Sequence, residues 1–568
     1  MRWLLVIVGM LLVTALASAD SPVRTEHPIA ALKSEIAPRY FSLTPDLKHI
    51  AFITDLGNAT VAAERKETED WLNKHLPGKP LNPRGRAGLA AALVKDKEVL
   101  VVDGVEIGPF ARVSPLIAFS RDGRHLAFVA LDETNNQFAV LDGEPSPSFG
   151  SIEHAPKFSA DGNHMAYMVI DNSSPGQRCA VVLDGKVQSW CYGMTDFGED
   201  LYFSPKGSRF TWAGFRKLPT GETDYFITVD GKEYGPYPED DYWRVSFSPD
   251  GKHFAFLFRQ KTANASDRFF LMLDGTPLPL AGKPGLTEAV FSPDSKRLAH
   301  YAGGKVTLLY SDGTQKQQWD YGSASRIQFS PDSQRLAFVS EAYNAVSVVL
   351  DGVPGPPVFS LIGPPVFSPN SRHLAYAASL LDKANSKTKD FVVVDGVDQK
   401  LHPVNDYKSS GIVFSADGEH YAYLSESNGR ACAVVDGKPG PAYMGRAMAN
   451  SLIVSSNGNR TAWLLRISPS GAAVVVDGKA QTRFDAIEPA SLRFSPDGQH
   501  CAYVVTRSRE FGEFLVVDGV KCKTYPSLLP PNDFSMTRSN LLVFDGSNLI
   551  RYAARTKSEV LIVEEKLQ

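Results

Sequence analysis

Short apolar runs separated by turn residues fill this chain, and they come in a fixed order. A phrase like FSPDGKHFAF is followed, about a dozen residues later, by one like VVVDG. Clean copies begin at Phe119, Phe158, Phe203, Phe247, Phe291, Phe329, Phe367, Phe414 and Phe494, with degenerate ones at Phe41, Val454 and Phe544. The usual spacing is 38 to 47 residues, and an insertion stretches the first interval to 78. In the copy at Phe247, period-two alternation predicts strands at 244–248, 253–258, 269–273 and 277–280. A period near 40 with four short strands per unit is the pattern of a β-propeller blade. The expected fold is therefore all-β, with about twelve four-stranded blades.

Turn chemistry accounts for the punctuation. In SPDG, Pro suits the second position of a type I turn and Gly accepts the positive φ that follows. Asp-Gly between two apolar runs marks a tight hairpin. Three consecutive copies carry Ser in place of that Gly, at Ser295, Ser333 and Ser371. A non-glycine residue at positive φ costs about 1 kcal/mol, so a different turn type is expected there. A His recurs after the turn (His49, His125, His164, His253, His373, His420, His500), with Arg at Arg209, Arg297, Arg335 and Arg460. One imidazole per blade is too widely spaced for a shared metal, whose bonds are about 2 Å long. The position reads as a polar strand start.

These phrases resemble the TolB-type, WD40-like β-propeller repeats of exported bacterial proteins. The resemblance covers essentially the whole chain after its first residues. It implies the fold strongly and the function weakly, because such propellers serve as binding platforms, gating domains and carriers of enzyme sites.

Propellers usually hold four to eight blades around one axis. Twelve blades therefore predict two six-bladed propellers in tandem, residues 20–325 and 326–568, with a seven-plus-five division or one oversized ring as alternatives. The last copy supplies three strands and then stops, leaving an open edge. Residues 26–36 precede the first repeat and are free to fill that place. Residues 315–321 offer a second such strand, but the Asp312-Gly313 turn before them reads as an ordinary hairpin within a blade.

Residues 1–19 read as a signal peptide: Arg2, an apolar stretch from Trp3 to Leu16, then Ala17-Ser18-Ala19. The mature protein is expected to be exported, periplasmic or secreted in a bacterial envelope, with no membrane span after cleavage. A formal charge of −4 and the lack of any Lys/Arg run argue against a nucleic-acid partner. The five Cys form no disulfide framework. Cys179 and Cys191 flank one hairpin turn and are a candidate disulfide pair, provided the register places them on the same face.

The repeat itself is structural, so function is sought in what departs from it. The connections between second and third strands vary in length and lie on the face opposite the uniform turns. Residues 55–97 carry the single predicted helix, with Trp71 on its apolar stripe, and suit a cap over that face. Residues 234–243 (YGPYPEDDYW) gather Asp240, Asp241, Tyr242 and Trp243, which fit cation or sugar binding or, alternatively, a strand connection with core aromatics. There is no GxSxG, HExxH, paired CxxC, phosphate loop or dinucleotide fingerprint. The expected function is non-enzymatic binding of a protein or glycan through the variable-loop face, with no cofactor or metal. The alternative is a polysaccharide lyase or hydrolase whose site is assembled from loops of several blades.

Overall fold

The repeat folds as its alternation requires. In the fifth blade the strands are Ser246–Phe247, Phe254–Gln260, Arg268–Leu273 and Thr276–Pro279, antiparallel and in that order. In the second strand Phe254 and Phe256 pack toward the fourth blade, while Ala255 and Leu257 pack toward the sixth. A strand buried on both faces makes each blade a wedge between two neighbours. This is a computed structural model that describes residues 23–31, 39–44, 47–55, 98–103, 105–172, 178–194, 201–218, 221–237, 245–260, 267–285, 289–342, 345–382, 387–398, 411–467, 471–507, 512–529, 542–556 and 559–567. The predicted helix and cap at 55–97, with Trp71, fall almost wholly outside them.

Twelve sheets form, and no α-helix occurs among the described residues. Twelve apolar cores join them, one at each junction of consecutive blades. The sixth and seventh blades share Leu308 and Phe338 in one core, like any other pair. The twelfth packs on the first through Val560, Ile562, Ile50 and Phe52. The expected division into two six-bladed rings at 325/326 is thus corrected: the blades close as one ring of twelve. A repeat period sets the wedge; the number of wedges in a ring follows from where the chain returns to itself.

That return is made by strand Val23–Ala31, which lies antiparallel along Glu559–Lys566 as the outer strand of the twelfth blade. The spare segment before the first repeat does fill the open edge. Glu26 on this strand takes hydrogen bonds from Lys523 Nζ and Tyr525 Oη, both at 2.7 Å, on the outer strand of the eleventh blade. Behind it Tyr552 Oη donates to the buried Glu565 at 3.0 Å. Gln315–Asp320 pairs within its own blade, so the Asp312-Gly313 turn is an ordinary hairpin.

The first repeat begins two residues later than its sequence suggests. Thr44 takes the place of the motif Ser, its Oγ1 accepting from the His49 backbone N–H at 3.0 Å, so Leu43 rather than Phe41 holds the Phe position.

The three Ser substitutions keep the turn type, contrary to expectation. Ser295, Ser333 and Ser371 sit at φ of 64°, 65° and 65°, in the same region as the glycines they replace. Each hydroxyl oxygen accepts from the backbone N–H of the preceding blade's turn Asp: Asp250 at 3.0 Å, Asp294 at 2.9 Å and Asp332 at 2.8 Å. The hydrogen bond between blades offsets the backbone strain. Replacing Ser333 by Ala keeps the strain and removes the bond, and is expected to cost about 1–2 kcal/mol. Ser333→Gly loses the bond but relieves the strain, so its Tm should lie above that of Ser333→Ala; the reverse order in thermal melts contradicts this account.

Candidate functional site

The two faces of the ring are chemically different. On the turn face the Asp-Gly hairpins place ten Asp residues at φ of 47–52° (Asp274 at 48°), and the nine from Asp142 onward are each followed by a positive-φ Gly, which is type I′ geometry. In these blades one carboxylate oxygen accepts from the backbone N–H that opens the second strand, and the other from the repeated His or Arg. In the fifth blade Asp274 Oδ1 accepts from the Phe254 N–H at 2.9 Å, and Oδ2 lies 2.6 Å from His253 Nδ1. Where the repeat carries Arg, Arg460 Nε donates to Asp477 at 2.8 Å. The motif Ser completes the corner: Ser248 Oγ donates to Asp250 at 2.6 Å and accepts from the His253 N–H at 2.9 Å.

This network also reaches across blade junctions. The rings of His125, His164 and His253 stack on Phe158, Phe203 and Phe291 of the next blade at 6.3–6.5 Å. Arg209 Nη1 donates to the Lys252 carbonyl of the next blade at 2.9 Å. The repeated His is therefore more than a polar strand start. It is the polar link between the two halves of one blade and, at His125, His164 and His253, a contact with the Phe of the next. Among the described residues no cluster of three or more His, Cys, Asp or Glu suits a metal ion.

The hydroxyl of Ser248 and the N–H of Lys252 hold the Asp250 carboxyl below the usual range, against a smaller opposing effect of burial, and Ser330 does the same for Asp332. Asp436 raises His420 above the usual imidazole value near 6.5. A raised folded-state pKa adds stability that is full below the unfolded value and is lost as pH rises through the folded value. The Tm difference between wild type and His420→Gln should therefore be larger at pH 6 than at pH 8. A gap that does not change between those pH values contradicts the His420–Asp436 link.

The opposite face carries the connections between second and third strands. Between the fourth and fifth blades it opens into a cleft of about 960 Å³. The hairpin Phe210–Lys217 to Thr223–Val229 supplies Glu222 and Asp224, and the end of Phe254–Gln260 supplies Phe258 and Arg259. Tyr237 comes from the outer strand Lys232–Tyr237, where a bulge sets Gly235 at φ 147°. A Cβ on Gly235 would meet the Tyr225 carbonyl oxygen at 2.8 Å, so this wall needs glycine. The rings of Phe258 and Phe270 stack at 5.2 Å, and Tyr237 lies 5.2 Å from Phe258. Asp224 is 8% exposed; its Oδ2 accepts from Arg216 Nε at 3.2 Å, while Oδ1 has no hydrogen-bond partner. Arg259 Nη1 is tied to Asp267 at 3.2 Å.

Asp240, Asp241, Tyr242 and Trp243 lie outside the described residues. Of the same segment, Tyr234 packs on Phe254 and Phe256, both at 5.8 Å, and Tyr237 packs on Phe256. Those two rings are the core aromatics of the strand-connection alternative, and Tyr237 also lines the cleft. Cys179 and Cys191 are directly opposite on neighbouring strands, exchanging backbone hydrogen bonds of 2.9 and 2.8 Å. The register condition is met: both side chains are buried, with sulfurs 2.8 Å apart. The cleft was not found from sequence, because its residues look like ordinary strand ends from two repeats. Of the segments singled out in the sequence, 234–243 reaches the cleft, through Gly235, Pro236 and Tyr237.

No family model matches this chain, and no curated protein matches it. Solved structures that it resembles include a eukaryotic initiation factor (13% identity, 61% of this chain and 93% of that one, TM-score 0.34). Others are the Dos1 propeller (8%, 57% and 92%, TM-score 0.26) and the dihydro-heme d1 dehydrogenase NirN (15%, 53% and 70%, TM-score 0.27). At these scores the likenesses carry nothing about function. Among the described residues no helix is long and apolar enough to cross a membrane.

Proposed function

We propose that this protein is an exported, TolB-type propeller that binds a partner without catalysing a reaction, and that the partner docks on the loop face. The observation that carries the reading is the division of labour between the faces. Repeated polar side chains of the turn face are largely occupied by bonds within and between blades, as Asp274, His253 and Ser248 show. The loop face instead presents the cleft between the fourth and fifth blades, with unequal loops around it. Large rings are also exposed at Trp190, Tyr192 and Phe359. Loops that vary on a rigid scaffold are where binding is usually placed. Aromatic residues at the centre of a contact commonly carry most of its energy.

The test compares faces. Glu222→Ala with Gln260→Ala alters two exposed residues at the cleft, whereas Lys252→Ala with Lys296→Ala alters the turn face. Partners captured by the full-length protein from envelope extract, and binding to an immobilised glycan set, are quantified for each variant. The cleft pair should weaken capture about tenfold, and the turn-face pair should leave it unchanged. Loss confined to the turn-face pair would overturn the proposal.

A further inference from the structure

The loop-face reading leaves open what the cleft recognises, and the unpartnered oxygen of Asp224 narrows that choice. Strand Thr223–Val229 buries this side chain, and Arg216 satisfies only its Oδ2. Arg216 is itself shared: it also pairs with Glu233 and lies over the Phe226 ring at 4.7 Å. Held in this geometry, its guanidinium does not reach the second oxygen. The cation lining the cleft, Arg259, is held by Asp267. Glu222 stands exposed on the same hairpin. Among the described residues the cleft thus holds a buried carboxylate oxygen short of a donor and, on the same hairpin, an exposed second carboxylate.

We propose that the cleft receives a lysine or arginine side chain presented by a protein partner. This inference rests on the loop face being the binding face. A carboxylate oxygen withdrawn from water is costly unless a donor reaches it, and a cationic donor answers both its charge and its hydrogen bond. The stem of a basic side chain suits the rings of Phe258, Phe270 and Tyr237, because such stems bury well against apolar walls while the charged end seeks a counter-ion. A volume of about 960 Å³ holds such a side chain together with the backbone that carries it.

The experiment titrates the full-length protein with fluorescent hexalysine and hexaarginine, with a neutral hexapeptide of Gly and Ser, and with maltohexaose. The basic peptides should bind, and should weaken about tenfold in Asp224→Asn, which keeps the shape of the side chain and an acceptor oxygen but loses the charge. Glu222→Gln, at an exposed position that does not threaten folding, should weaken the same peptides severalfold, and raising NaCl to 0.5 M should weaken them further. Basic peptides that fail to bind, or that bind both variants like the wild type, would overturn the proposal. Maltohexaose binding that survives Asp224→Asn would also overturn it, assigning the cleft to hydroxyl donors. If any of these occurs while the Glu222/Gln260 pair still loses its envelope partners, the loop-face reading stands and only the cationic ligand falls.

Discussion

The pairing of strand Val23–Ala31 with Glu559–Lys566 decides what the other eleven blades can be. A propeller blade buries both faces of its sheet, so an unclosed series leaves two apolar faces and an unpaired edge in water. Here the last wedge is completed by strand Val23–Ala31, and its other face covers Ile50 and Phe52 of the first blade. The closing strand also carries Glu26, whose hydrogen bonds to Lys523 and Tyr525 extend the latch onto the eleventh blade. Because the chain returns to itself once, there is one ring.

Much of the fold was legible in the residues. Period-two alternation located the four strands of a blade to within a few residues, as at Phe254–Gln260 and Arg268–Leu273. The missing outer strand and its donor were also readable, because the last copy shows three strands where a blade has four and a spare segment precedes the first copy. The number of rings was not readable. Each junction between blades uses the same alternation, so nothing local distinguishes Leu308 and Phe338 at the sixth junction from their counterparts elsewhere.

The turn network was half legible. Pro, Asp and Gly are explained by backbone conformation alone, which hid the contacts their neighbours make. His253 and Asp274 are far apart in sequence, yet each recurs in nearly every repeat, and Arg in place of His makes the same bond to Asp at Arg209, Arg335 and Arg460. That substitution was the signal of a shared partner. Ser333 similarly suggested a different turn type, whereas its hydroxyl sits under the Asp294 N–H of the preceding blade and the turn is kept. The cleft was the least legible feature, since it depends on two hairpins meeting across a junction and on a carboxylate oxygen left without a donor.

The central claim is a single closed ring, and single-particle electron microscopy of the purified chain tests it most directly. Face-on class averages should show twelve spokes around one axis, with the outer edge complete at the blade formed by residues 527–566 and 23–31. Two discs of six spokes joined side by side, or an open arc with a gap between the first and last blades, would contradict it.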